Sequence, residues 1–168
     1  MTESTTSNAT PAQTSATEPE LVTVPSVTTA VVRGVVPMGD MPSFFDRSFA
    51  TLVETVSAQQ IDIAGAAFAY HYRRPTDTAD LEIGFATDRA VRPEGDVVAS
   101  ALPAARVARL IHAGAYDGLP ESWQRLHSWI EEQGLTAGSA VWEVYLTEPT
   151  PEMDPRDLRT ELNWPLVD

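Results

Sequence analysis

Two residues apart in the run Val141-Trp142-Glu143-Val144-Tyr145-Leu146, a carboxylate and a phenol stand in an otherwise apolar segment. Strand side chains alternate faces, so Glu143 and Tyr145 share one face while Trp142, Val144 and Leu146 share the other. The second set is packing material, and the first can do chemistry. A carboxylate held among rings attracts a cation or takes a proton from water, and a phenol beside it stacks or hydrogen-bonds. A lone acid in apolar surroundings is costly unless something pairs with it. Two partners meet that requirement: the positive charge of a ligand, or an arginine on a neighbouring strand such as Arg106 or Arg109. Spacing alone leaves both open. Desolvation raises the pKa of such an acid, and a bound cation lowers it again.

Other side chains offer themselves as walls. Phe68, Tyr70 and Tyr72 line up on one face of a strand, a row that suits a planar ligand and equally suits packing within a sheet. Phe44 and Trp164 are candidates for the rim of a cleft. Trp123 belongs to a helical stripe and reads as packing, and Tyr116, in a Gly-x-Tyr-Asp turn, reads as fixing a helix start. His71, His112 and His127 are scattered and the chain has no cysteine, so no metal site is expected. Neither a phosphate-binding glycine loop nor a Gly-x-Ser-x-Gly elbow occurs, and no cofactor is expected. The acids Glu148, Glu152, Asp154 and Asp157 lie among prolines and read as a solvated loop.

The elements that must hold these residues repeat. Phe45, Phe49, Leu52 and Val56 recur at spacings of four, three and four, and Leu119, Trp123, Leu126 and Ile130 recur at the same spacings. Each set is the apolar stripe of an amphipathic helix. Pro42 and Pro120 sit in the first turns, where a missing N–H costs nothing, and Gly134 is a natural stop for the second helix. A strand over Thr28–Val36 precedes the first helix, and strands over Ile61–Tyr72 and Asp80–Ala86 follow it. A strand over Ala105–His112 precedes the second, and strands over Ser139–Thr147 and Leu158–Trp164 follow. The fold expected is α+β, with two tandem β-α-β-β repeats at about residues 21–92 and 96–168. They form one antiparallel sheet with both helices on one face, the other face free to curve around a ligand, and the cleft near the pseudo-twofold axis. The Pro-Glu-Gly stretch at 93–95 joins the repeats without making a domain boundary, since neither half has core enough to stand alone.

The totals narrow the function classes. A chain of 168 residues with 43% apolar content suits one domain. Residues 1–20 are Thr, Ser, Ala, Pro, Asn and Glu with hardly a large apolar side chain, the composition of a disordered tail, and not of a signal peptide. No stretch has the length of a membrane span, and the expected location is the cytoplasm. The net charge of −13, with arginine as the only basic residue type, argues against nucleic-acid binding and is compatible with attracting cations. Oligomeric state is not legible.

Several motifs together resemble the GyrI-like small-molecule-binding family, the gyrase-inhibitory-protein fold that also serves as effector domain in AraC-type and MerR-type regulators. They are Leu102-Pro103-Ala104-Ala105-Arg106, His112-Ala113-Gly114-Ala115-Tyr116-Asp117-Gly118-Leu119, Trp129-Ile130-Glu131-Glu132-Gln133-Gly134-Leu135, Trp142-Glu143-Val144-Tyr145-Leu146 and Glu161-Leu162-Asn163-Trp164-Pro165-Leu166. The first half matches more loosely, through Phe68-Ala69-Tyr70-His71 and Asp80-Leu81-Glu82-Ile83, and the resemblance covers about residues 21 to 168. It implies a stand-alone effector-binding domain that takes lipophilic, often cationic compounds, with Glu143 as the cleft glutamate. Multidrug binding, or drug and toxin resistance by capture, would follow. Some stand-alone members resemble hydrolases that open reactive cyclopropane-type DNA-alkylating compounds. On that alternative Glu143 would activate water and Tyr145 would assist. Residues 1–20 contain no Lys or Arg from which to build a recognition helix, so direct DNA binding is not expected.

Overall fold

Period-two runs of β-branched and aromatic residues become strands here, and the two amphipathic stripes become helices. The computed structural model describes residues 18–147 and 150–167. In chain order the elements are β1 (Glu20–Val24), β2 (Val27–Pro37), α1 (Met41–Ala58), β3 (Ile63–His71), β4 (Thr78–Thr87), β5 (Val97–Leu102), β6 (Ala105–Ala113), α2 (Leu119–Glu132), β7 (Thr136–Ala137), β8 (Val141–Tyr145) and β9 (Arg159–Val167). The strands form an antiparallel sheet in the order β1-β6-β9-β8-β3-β4-β2-β5, with β7 added against β9. Exchanging β1 with β5, β2 with β6, β3 with β8 and β4 with β9 reverses that order onto itself. The pseudo-twofold axis therefore crosses the β3–β8 junction, where Ala69 lies opposite Glu143.

Three strands lie outside the expected β-α-β-β pattern: β1, β5 and β7. The first two interlock the halves. β1 precedes β2 in the chain but pairs with β6, and β5 precedes β6 but pairs with β2. Each half thus completes the edge of the other, so the sheet is a joint product of both. Of the segment expected to be a disordered tail, residues 1–17 lie outside the described residues, and Glu20 opens β1.

Register decides which side chains meet. A row of directly opposed residues runs Val32, Ile83, Ala69, Glu143, Leu162, Leu110 across six strands. Both helices cover the face this row presents. Leu52 and Val56 of α1 pack with Val32, Ala69, Ile83 and Phe85, while Leu126 and Ile130 of α2 pack with Ala108, Leu110, Val141 and Leu162. The buried stripe of α1 is Phe44, Ser48, Leu52, Thr55 and Val56; Phe45 and Phe49 sit half-buried on its flank. α2 stops before Gly134, whose φ of 72° is left-handed, as a residue just past a helix end requires. Among the described residues, no helix is long and apolar enough to cross a membrane.

Candidate functional site

Strands β3 and β8 pair only through Phe68–His71 and Val141–Val144. Before Phe68 the register of β3 against β4 shifts between Ile63 and Ala67, the kind of irregularity that disturbs a strand's course. The irregular stretch, Ala64-Gly65-Ala66-Ala67, carries no large side chain. Where the strands part, and where only methyl groups and hydrogens rise from β3, space is left on the helix side of the sheet. The result is a cavity of about 1110 Å³ between α1, the entry to α2 and the end of β8.

Its walls are rings. Phe45 and Phe49 project from α1, Phe85 from β4, Tyr116 from the turn before α2, and Tyr145 from β8. Phe45 stands edge-on to Tyr145 at 6.3 Å, Tyr116 edge-on to Tyr145 at 5.9 Å, and Phe49 lies 6.4 Å from Phe85. These separations are those of aromatic pairs that stabilise each other beyond area burial. Glu143 is set among them. Tyr145 Oη donates to Glu143 Oε1 at 2.8 Å, and Trp123 Nε1 donates to Oε2 at 3.3 Å.

Burial pushes the Glu143 carboxyl above the usual carboxylate range, while the two hydrogen bonds and the neighbouring His112 pull it partway back. Burial and the Glu143 charge push the Tyr145 hydroxyl well above 10, so Tyr145 stays protonated and acts as donor. Tyr116 is raised for the same two reasons, burial first. Among the described residues no ion pair reaches Glu143. The arginine partner left open by the sequence is not used: Arg109 projects from the other face, donating to Asn163 Oδ1 at 2.9 Å and pairing with Glu161 at 3.4 Å, and Arg106 is exposed. Neutral donors hold the acid, and its charge is left uncompensated toward the cavity.

The structure brings together only part of the set picked from sequence. Glu143 and Tyr145 share the cavity wall. Phe68, Tyr70 and Tyr72 lie on the opposite face, because directly opposed residues share a face and Tyr70 stands opposite Trp142. There Tyr70 stacks on Trp142 at 5.8 Å, and Tyr72 donates to Glu82 at 2.9 Å beneath the Arg33 guanidinium. The cavity is accordingly on the helix-bearing face, and not on the free face expected to curve around a ligand. Phe44 is buried beneath α1, with Gly34 close by, and Trp164 is buried under α2, donating to Gly138 O at 2.8 Å. Neither rims the cavity. Phe85 and Tyr116 line the cavity although neither stands out as lining in the sequence, and Phe45 and Phe49, part of the apolar stripe expected to be core, line it too. The one sequence signal for them is a run of small residues in one strand beside a helix with surplus phenylalanines. Trp123, read as packing, does pack edge-on to Trp164 at 5.7 Å and also holds Glu143.

A sequence model described as the GyrI-like small molecule binding domain matches residues 17–167. No curated protein matches the chain significantly. Among solved structures, the EcmrR C-terminal domain superposes with a TM-score of 0.79 at 21% identity, over 90% of this chain and 98% of that one. The chain spans 57% of the EcmrR chain in its DNA complex, with 22% identity and a TM-score of 0.78 over 89% of this chain. SAV2435 bound to tetraphenylphosphonium superposes with a TM-score of 0.64 at 15% identity, covering 89% of this chain and 94% of that one. A hydrolase from Listeria innocua does so with a TM-score of 0.66 at 14% identity, covering 89% and 92%. At these identities the likeness is one of fold.

Proposed function

The chain belongs to the GyrI-like small-molecule-binding domain family, and from that premise we propose that it captures lipophilic cations, with resistance to a drug or toxin as the consequence of sequestration. One observation carries this reading: a half-buried carboxylate, hydrogen-bonded by neutral donors alone, opens on a ring-walled cavity of about 1110 Å³. Desolvating an acid without a counter-charge is unfavourable, and a cation entering the cavity relieves it. The ring faces add attraction for the same charge. The volume is slightly larger than the usual range of small-molecule sites, enough for a polycyclic or multiply arylated compound. The net charge of −13 favours approach of cations from a distance. A protein of similar fold is bound to tetraphenylphosphonium, a compound of this class. The test is calorimetric titration with tetraphenylphosphonium beside neutral triphenylphosphine oxide. Binding of the cation, with much weaker binding of the neutral compound, is expected. Equal binding of both, or none of either, overturns the proposal.

A second reading is favoured by the 2.8 Å hydrogen bond between Tyr145 and Glu143, and by the fold shared with a hydrolase from Listeria innocua. A carboxylate with a raised pKa is a competent general base. Water would add to a carbon of a strained cyclopropane as its proton passes to Glu143. The ring C–C bond would break, its electron pair passing into a conjugated acceptor that takes a proton from Tyr145. Glu143 would then return its proton to Tyr145 along their hydrogen bond, so that the net change is hydration. Substoichiometric protein incubated with a cyclopropane alkylating compound decides it: recovery of intact compound excludes turnover of that substrate.

A further inference from the structure

The chain between β6 and α2 is short, strained and tied to a buried imidazole. Gly114 has φ of 116°, a conformation that excludes side chains, and its N–H donates to Leu158 O at 2.9 Å. The next residues turn as a 3₁₀ helix over Tyr116–Gly118, closed by Gly118 N–H to Ala115 O at 3.2 Å. Inside this turn sits His112, 7% exposed. Its Nε2 lies 2.8 Å from Ala115 O and its Nδ1 lies 2.7 Å from Ser122 Oγ. A carbonyl only accepts, so Nε2 carries the proton and donates; in the neutral ring Nδ1 accepts from the Ser122 hydroxyl. One ring therefore spans the turn, gripping its start at Ala115 and the first turn of α2 at Ser122. Gly118 makes room for it. Its φ of −86° suits any residue, but a Cβ there would lie 3.0 Å from His112 Cε1. This glycine is used for space and not for backbone freedom.

Tyr116 rides on the turn that His112 grips. It lines the cavity while keeping 37% of its surface exposed, which places it at the mouth, edge-on to Tyr145 at 5.9 Å. We infer that His112 is a positioning residue for the ligand site: by spanning Ala115 and Ser122 it holds Tyr116 against Tyr145 and so sets the mouth of the cavity. This rests on the reading of the cavity as the ligand site. His112 does not line the cavity; beyond its electrostatic pull on Glu143, its effect on ligands passes through Tyr116.

The experiment has two readouts. His112→Phe keeps a ring of similar size and removes both hydrogen bonds. In the ligand-free protein, tyrosine-labelled NMR should show the Tyr116–Tyr145 ring contact in the native protein and its loss in His112→Phe, with the tryptophan resonances still dispersed. Retention of the contact overturns the inference. The second readout is tetraphenylphosphonium affinity for the native protein, His112→Phe, Tyr116→Ala and the double variant. His112→Phe should weaken binding about tenfold, the scale of a lost hydrogen bond. It should add nothing once Tyr116 is alanine. Additive losses overturn the inference. If tetraphenylphosphonium binds none of the four proteins, the proposed function fails, while the ring contact still decides the role of His112. Should His112→Phe not fold, Gly118→Ala, which crowds the same imidazole, is carried through both readouts.

Discussion

Replacing Glu143 by glutamine keeps the shape of the acid and removes its charge. A tetraphenylphosphonium centre approaches a carboxylate no closer than about 6 Å, because its phenyl groups intervene; at an effective dielectric near 20 the attraction is about 3 kcal/mol. Part of that is spent because the cavity admits solvent, which leaves about 2 kcal/mol, or a ~30-fold rise in Kd. A neutral ligand of the same shape should change by less than about threefold. The unliganded protein should respond in the opposite sense. Burial raises the folded pKa of Glu143 above its unfolded value, so its contribution to stability is fully present below the unfolded pKa and is lost as pH rises through the folded one. At neutral pH the ionised acid weighs on the fold, and glutamine removes that burden. The relief is partial, because the amide still accepts from Tyr145 but turns its NH2 toward the Trp123 N–H. Protons also compete with the cation: native affinity should fall as pH drops through the raised Glu143 pKa, and the glutamine variant should be flat across the same range. Titration calorimetry with charged and neutral ligands, at several pH values, measures all of this. Equal losses for both ligands, or a pH profile unchanged by Glu143→Gln, would refute the electrostatic argument.

Two further expectations concern the scaffold. His71 is buried with Nδ1 unpartnered, and burial lowers its pKa to about 4. The unfolded chain takes up that proton below about pH 6.5 and the folded one only near 4, so stability should drop by about 3 kcal/mol across this window. His71→Phe should abolish that part of the drop in urea unfolding at pH 7 and pH 4.5; an unchanged drop means another group is responsible. Gly84 lies opposite Val31 where β4 runs so close beside β2 that an added Cβ would stand 1.9 Å from Ala30 O. Gly84→Ala should cost about 4 kcal/mol or more and yield little folded protein, while Gly39→Ala, with nothing within 4 Å, should melt like the native chain. A native melting temperature for Gly84→Ala would show that the strands are farther apart.

The elements with their own periodicity are legible in the sequence. The four-three-four spacing marks α1 and α2, and β-branched, period-two runs mark β2, β3, β4, β6, β8 and β9 to within a few residues. The edge strands are not. Val97–Leu102 and Glu20–Val24 are short and become strands only by pairing with the opposite half, a contact that no local pattern encodes. The tryptophans hold a similar lesson. Trp123, His127 and Trp164 pack together in the second half, at 5.7 and 5.1 Å, on the same side of the sheet as the cavity.

What the chain determines by itself is the pairing of Glu143 with Tyr145, because alternation along one strand puts residues two apart on the same face whatever the strand packs against. Which rings join them was decided by register. A slip of one residue between β3 and β8 would have turned Tyr70 and Phe68 toward the acid; the register formed instead sets Ala69 opposite Glu143, leaving Phe45, Phe49, Phe85 and Tyr116 to wall the site. The empty volume is likewise a tertiary outcome. It exists because the small-residue stretch of β3 runs on past its pairing with β8 beneath a helix flank, and where pairing ends is a property of how elements are placed, not of the residues in any one of them.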